Sequence, residues 1–117
     1  MVKSEAKIQQ EIVLWFRNNN IGTNNIIFSV PNHKAGNEST GQLNGVSDLI
    51  VVYERCVYFI EVKVPKQIDI DCKVYPAGKQ SDMQITFQGK IVSNGYYYKV
   101  VYSLEEFKQF ISSIQND

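Results

Sequence analysis

Apolar residues recur along this chain with two periods, one helical and one extended, and the switches between them mark out its elements. Ile8, Ile12, Trp15 and Phe16 fall on one stripe of a helix predicted over residues 5–19, with Ser4 placed to cap it and Asn18-Asn19-Asn20 and Gly22 placed to stop it. On that helix Glu5 faces the core edge more squarely than Glu11. Ile26-Ile27-Phe28-Ser29-Val30 reads as a short strand ended by Pro31. Residues 31–47 have no periodicity and are rich in Gly and Asn, and so long a structureless stretch in a compact domain is usually functional or mobile.

Two strands follow, 48–53 and 56–63, joined at Glu54-Arg55. The second carries apolar side chains on both faces, Val57 and Phe59 on one and Tyr58, Ile60 and Val62 on the other, which predicts a central strand covered on both sides. Residues 64–80, with Pro65, Pro76 and Gly78, read as a second irregular segment. Ser81-Asp82-Met83-Gln84 matches a capping box and opens a helix to about Ser93, with Met83, Phe87 and Ile91 as its stripe. Gly89 weakens that helix and Asn94-Gly95 ends it. Tyr96 to Tyr102 is rich in strand formers. Ser103-Leu104-Glu105-Glu106 is a second capping box, starting a helix with Leu104, Phe107, Phe110, Ile111 and Ile114 inward. The order α-β-β-β-α-β-α, without repeat or linker, predicts one α/β domain over residues 1–117, with a mixed central sheet flanked by helices.

Composition adds limits rather than a function. A chain of 117 residues can bury a core without disulfides, and 44% hydrophobic with 21% charged residues is an ordinary globular balance. No apolar run is long enough to cross a bilayer, and the N-terminus shows one Lys and no apolar signal segment, so the expected location is the cytosol and no membrane partner is expected. Cys56 and Cys72 lack metal-ligand spacing and read as reduced thiols. The formal net charge of zero argues against non-specific coating of nucleic acid, though not against an enzyme with a local basic rim.

The chemistry lies in Gly45-Val46-Ser47-Asp48 and Glu61-Val62-Lys63. Charges seldom interrupt buried strands unless they are paired or bind a metal. If the hairpin is symmetric about Glu54-Arg55, Tyr53 pairs with Cys56, Val51 with Tyr58 and Asp48 with Glu61. Opposed side chains in such a pair have Cβ atoms about 4.5–5.5 Å apart, close enough for two carboxylates to share one Mg²⁺. Lys63 projects to the same face as Glu61, where it could hold an attacking water or stabilise charge on a phosphate. Glu-Arg is a poor type I′ turn, and a loop of odd length would shift the register and break this pairing. The alternative is a surface salt-bridge cluster at a strand end.

The pattern resembles the PD-(D/E)xK nuclease superfamily, and most of all its virus-type replication-repair branch, the VRR-NUC nucleases. Nearly the whole chain follows that branch in order: Glu5-Ala6-Lys7-Ile8-Gln9, Pro31-Asn32, Gly45-Val46-Ser47-Asp48, Glu61-Val62-Lys63, Ser81-Asp82-Met83-Gln84, Gly95 and Ser103-Leu104-Glu105-Glu106. The resemblance implies a restriction-endonuclease-like core in which Asp48 and Glu61, helped by the Val62 backbone carbonyl, bind Mg²⁺ or Mn²⁺. It makes Lys63 the catalytic lysine, Glu5 a helix acid reaching towards the site and Gln84 a residue lining it. Ser47 stands where the branch usually has Pro. The 64–80 stretch is longer than the branch leads one to expect, either an added DNA-contacting or dimer-forming loop or an obstruction.

The implied activity is metal-dependent DNA endonuclease action, selective for branched, flapped or junction DNA, in replication, repair or recombination. DNA is the implied substrate, a homodimer the implied assembly, and a bacterial or phage-infected cell the implied setting. Asn32, His33, Lys34, Lys66, Lys79 and Ser81 are candidate nucleic-acid contacts, with Lys73 beside them in the second loop. Tyr96, Tyr97 and Tyr98 either stack unpaired bases or alternate between core and sheet edge. The rival readings are an inactive nuclease-like module that binds DNA or protein, and a metal-dependent hydrolase of another phosphate ester.

Overall fold

Ser4 starts the first helix by accepting a hydrogen bond from the Lys7 amide at 3.1 Å, and α1 (Glu5–Asn18) runs until the Asn20 side chain bonds the Phe16 carbonyl at 2.7 Å. The structure, a computed structural model, describes residues 2–31, 43 and 45–115. After α1 come β1 (Ile26–Ser29), β2 (Leu49–Tyr53), β3 (Cys56–Val62), β4 (Gln67–Ile68), β5 (Val74–Tyr75), α2 (Asp82–Ser93), β6 (Tyr97–Val101) and α3 (Leu104–Gln115). Four strands form one sheet in the order β1-β2-β3-β6. The first three are antiparallel and β6 runs parallel to β3, so the sheet is mixed and β3 is central, as its two apolar faces predict.

Alternation along the strands gives the sheet two unlike faces. Ile27, Leu49, Val51, Tyr53, Tyr58, Ile60, Val62 and Val101 form one core with Ile8, Ile12 and Phe16 of α1 and Phe107 and Ile111 of α3. Edge-on aromatic contacts lock that layer, with Phe16 centred 6.0 Å from Tyr53 and 6.3 Å from Phe107. Burying each such side chain contributes about 1.5–3 kcal/mol, so this face supplies most of the driving force for folding. On the other face α2 meets β3 and β6 chiefly through Phe87, which lies edge-on to Phe59 at 6.0 Å and to Tyr98 at 6.2 Å. Phe87 is the buried residue of α2, while Met83 is 54% exposed, so the stripe expected from Met83 to Ile91 shrinks to its middle. The helix starts beside the strand end that carries Glu61, to which the preceding Gln80 donates.

The hairpin keeps the symmetric register: Leu49 faces Ile60, Val51 faces Tyr58 and Tyr53 faces Cys56. Glu54 and Arg55 both adopt positive φ, 49° and 71°, the two left-handed positions a type I′ turn requires. Asn25 supports this unusual choice of residues. Its side-chain oxygen accepts from the Glu54 amide at 3.1 Å, and its side-chain nitrogen donates to Glu54 Oε1 at 3.2 Å.

The 64–80 segment differs from expectation, for it contains the β4–β5 hairpin. Two-residue strands leave no periodicity to read, and the turn is built by a side chain instead of a glycine. Asp69 Oδ1 accepts from the amides of Asp71 and Lys73, each at 2.9 Å, and Cys72 takes the positive φ of 62°. Gln67 ties the hairpin to the chain ahead of α1, accepting from the Lys3 amide at 2.7 Å and donating to the Lys3 carbonyl at 3.0 Å. Cys56 and Cys72 are free thiols and both are exposed.

Gly45 is the contact that sets α2 against the strand bearing Asp48. At φ +83° it lies so close to α2 that a Cβ would fall 2.5 Å from the Met83 carbonyl oxygen. Gly95 has a similar φ of +85° but open space around it. Gly95→Ala should therefore cost about 1 kcal/mol of backbone strain, and Gly45→Ala about 2 kcal/mol or more because strain and clash add. Urea unfolding of both variants measures the difference, and equal losses would contradict the close approach at Gly45.

Candidate active site

The register of the hairpin carries Asp48 and Glu61 to facing positions at the end of β2 and β3, one step beyond the Leu49–Ile60 pair. The ladders continue past the assigned strands: the Val30 amide donates to the Asp48 carbonyl at 2.9 Å, and the Lys63 amide to the Val101 carbonyl at 3.0 Å. Backbone hydrogen bonds thus hold Asp48 and Lys63 to the neighbouring strands, and Glu61 lies within β3 itself. Buried Ser47 precedes Asp48.

Asp48 reaches across to the neighbouring strand, where its Oδ2 accepts the Val62 amide at 2.7 Å. Burial raises its carboxyl above the ordinary carboxylate range; the Val62 bond opposes this, and the charges of Glu5 and Glu61 add to it. Glu5, on the exposed first turn of α1, therefore lies near enough to act on Asp48 through its charge. Glu11 is taken up elsewhere, in an ion pair with Lys3 at 3.0 Å.

Glu61 is 0% exposed, which excludes the surface salt-bridge alternative for it. Its Oε1 accepts from the Tyr98 hydroxyl and from Gln80 Nε2 at 3.4 Å. Its Oε2 is buried and has no hydrogen-bond partner among the described residues. Lys63 Nζ lies 3.9 Å from it, an electrostatic contact too long for a hydrogen bond, on a lysine that is itself only 8% exposed. Leaving a buried acceptor unsatisfied costs about 1–3 kcal/mol, and more when it is charged. Such an oxygen in a native site marks a place built for something other than stability.

The other sequence candidates sit as follows. Ser81 and Gln84 form the complete capping box of α2, with Gln84 Oε1 accepting the Ser81 amide at 2.9 Å, so that oxygen is committed to the helix start. Lys66 and Lys79 are exposed at the two ends of the β4–β5 segment. Asn32, His33 and Lys34 lie outside the described residues. The three consecutive tyrosines separate by alternation: Tyr97 stacks on Tyr58 with centroids 5.3 Å apart, whereas Tyr98 turns to Glu61. Sequence reasoning missed Gln80, Gln88 and the polar role of Tyr98. Only the strand parity of Tyr98 with Phe59 and Glu61 could have pointed to the last of them.

Among the described residues no three His, Cys, Asp or Glu side chains come together to hold a metal, and no helix is long and apolar enough to cross a membrane. The constellation is two carboxylates and a lysine on one face of a mixed sheet.

Fold and site together define a mixed α/β domain with a carboxylate–lysine cluster at one end of its sheet. The chain is similar to a solved structure described as "VRR_NUC domain", with a TM-score of 0.59 over 92% of this chain and 94% of that one, at 16% identity. The restriction-endonuclease-like VRR-NUC fold expected from the order of motifs is thus the fold observed. No protein-family model matches the sequence, and no curated protein matches it.

The raised Asp48 pKa has a sign that can be checked. Because its folded value lies above its unfolded one, Asp48 contributes stability at low pH and loses that contribution as the pH rises through the folded value. In metal-free buffer Asp48→Asn should be more stable than the native chain near neutral pH, and its advantage should fade on acidification. Urea midpoints across a pH series measure this. An advantage that grows towards acid would contradict the burial effect.

Proposed function

We propose that this protein is a Mg²⁺- or Mn²⁺-dependent DNA endonuclease acting on branched, flapped or junction DNA in replication, repair or recombination. The observation that carries the reading is the buried Glu61 Oε2, unsatisfied and 3.9 Å from Lys63 Nζ, beside the facing carboxylate of Asp48. These groups suit a hard divalent cation: two carboxylates, one with a free buried oxygen, with the Val62 carbonyl as the further donor. Two side-chain donors leave the remaining positions to water and substrate oxygens, as Mg²⁺ prefers. When bound, such a cation supplies Lewis-acid polarisation of a phosphoryl oxygen and of water.

The chain's own residues do the rest. Asp48 is anchored by the Val62 amide, which fixes the direction of its carboxylate. Lys63 brings a desolvated positive charge to the same face, where it holds the attacking water or offsets charge building on the phosphate. Glu5 adds negative charge at the rim and so strengthens the pull on a cation. Lys66, Lys79 and Ser81, with Asn32, His33 and Lys34, contact the DNA backbone, and Gln84 positions the start of α2 beside the site. The setting is the cytosol of a bacterial or phage-infected cell. Two copies pair, bringing two sites to two strands, and Ile85 and Val92 on one exposed face of α2 supply apolar surface for it.

Incubation with plasmid, single-stranded, flap and four-way-junction DNA, with Mn²⁺ or with EDTA, tests the reading. Cleavage should need the metal, and Glu61→Gln and Lys63→Ala should each lower it by about 100-fold or more. Cleavage that survives both substitutions would overturn the site. Tight metal-independent binding of DNA without cleavage would instead make the chain a binding module.

A further inference from the structure

The Glu61 carboxylate is held asymmetrically, and the residues that hold it belong to no motif of the resemblance. On one oxygen converge the Tyr98 hydroxyl from β6 and the Gln80 amide from the segment before α2. Gln80 is in turn fixed by α2, for its Nε2 donates to Gln88 Oε1 at 2.9 Å. Tyr98 is fixed by its ring, edge-on to Phe87 at 6.2 Å. Two separate parts of the chain thus donate to Glu61 Oε1, while Oε2, 3.9 Å from Lys63 Nζ, has no hydrogen-bond partner among the described residues.

We infer that Tyr98 and Gln80 are positioning residues that hold Glu61 by Oε1 and so present Oε2 alone as a one-oxygen ligand for the divalent cation. The inference rests on the metal-site reading above. Both donors are neutral, so they orient the carboxylate without cancelling its charge. A carboxylate free to rotate would offer both oxygens, and fixing it removes that entropy before a cation arrives. The arrangement also gives the 64–80 segment a task. Its last residue before the cap of α2 is Gln80, and the Gly78 amide bonds the Val64 carbonyl at 2.9 Å, closing the segment into a loop that returns to the strand end bearing Lys63. The extra length thereby delivers an amide to Glu61 instead of blocking the site.

Mn²⁺ binding to the full chain without DNA, by titration calorimetry, separates positioning from mere packing. Tyr98→Phe keeps the ring, and should weaken Mn²⁺ by about 10-fold or more. Gln80→Ala should weaken it less, in the same direction. In cleavage assays the Mn²⁺ concentration for half-maximal rate should rise in step while the plateau rate changes little. If Tyr98→Phe and Gln80→Ala both bind Mn²⁺ within about twofold of the native chain, the inference is overturned, even if their melting temperatures fall. Should Tyr98→Phe not fold, Gln80→Ala decides by the same criterion. Glu61→Gln serves as the control for the reading beneath: native-like Mn²⁺ binding by that variant would sink the metal site itself, whereas lost binding there with unchanged affinity in the other two would sink only the positioning role.

Discussion

The turn at Glu54 and Arg55 holds two ordinary L-residues at positive φ, and the β2–β3 pair keeps its register only because it does. Each left-handed residue costs about 1–2 kcal/mol, which the Asn25 clamp and the apolar pairs of the hairpin offset. The consequence reaches the whole molecule, since a one-residue slip would turn every side chain of the strand to the opposite face. Leu49, Val51 and Tyr53 would leave the layer that packs on α1 and α3. Asp48 would no longer face Glu61, and its bond to the Val62 amide would be lost. Core and site therefore depend on one register, and the strong apolar face protects the weak polar one.

The two faces of the sheet do different work. The face under α1 and α3 is apolar and interlocked by aromatic rings, and it stabilises the domain. The face under α2 meets that helix through its buried Phe87, and the end of the face beside the start of α2 holds Asp48, Glu61 and Lys63. A buried carboxylate with an unsatisfied oxygen, another raised by burial, and a lysine too distant to hydrogen-bond would be a poor way to stabilise a fold. In the proposed function they serve as groups held in place beforehand, so that little reorganisation remains when charge develops nearby.

Much of this was legible in the residues. The stripes of α1 and α3, the capping box of α2, the central position of β3 and the facing of Asp48 and Glu61 all follow from periodicity and turn symmetry. At α3 only half of the expected box forms, Ser103 capping the Glu106 amide while the Glu106 side chain accepts from the Tyr102 amide instead of that of Ser103. The turn itself was the weak point, because Glu-Arg carries no left-handed signal, and the clamp that permits it comes from Asn25, remote in sequence. The β4–β5 hairpin was hidden for a similar reason: Asp69 supplies the turn with a side chain where a glycine would have announced it. Gln80 could not be found because its contact with Glu61 depends on where a loop returns. Tyr98 lay within a run of three tyrosines that hydrophobicity alone does not distinguish.

Anomalous diffraction from crystals soaked in Mn²⁺ tests the central claim most directly. The account predicts one strong peak between Glu61 Oε2 and the Asp48 carboxylate, with Glu61 Oε1 still bonded to Tyr98. A peak placed elsewhere, or none while Asp48, Glu61 and Lys63 keep the arrangement described above, would contradict it.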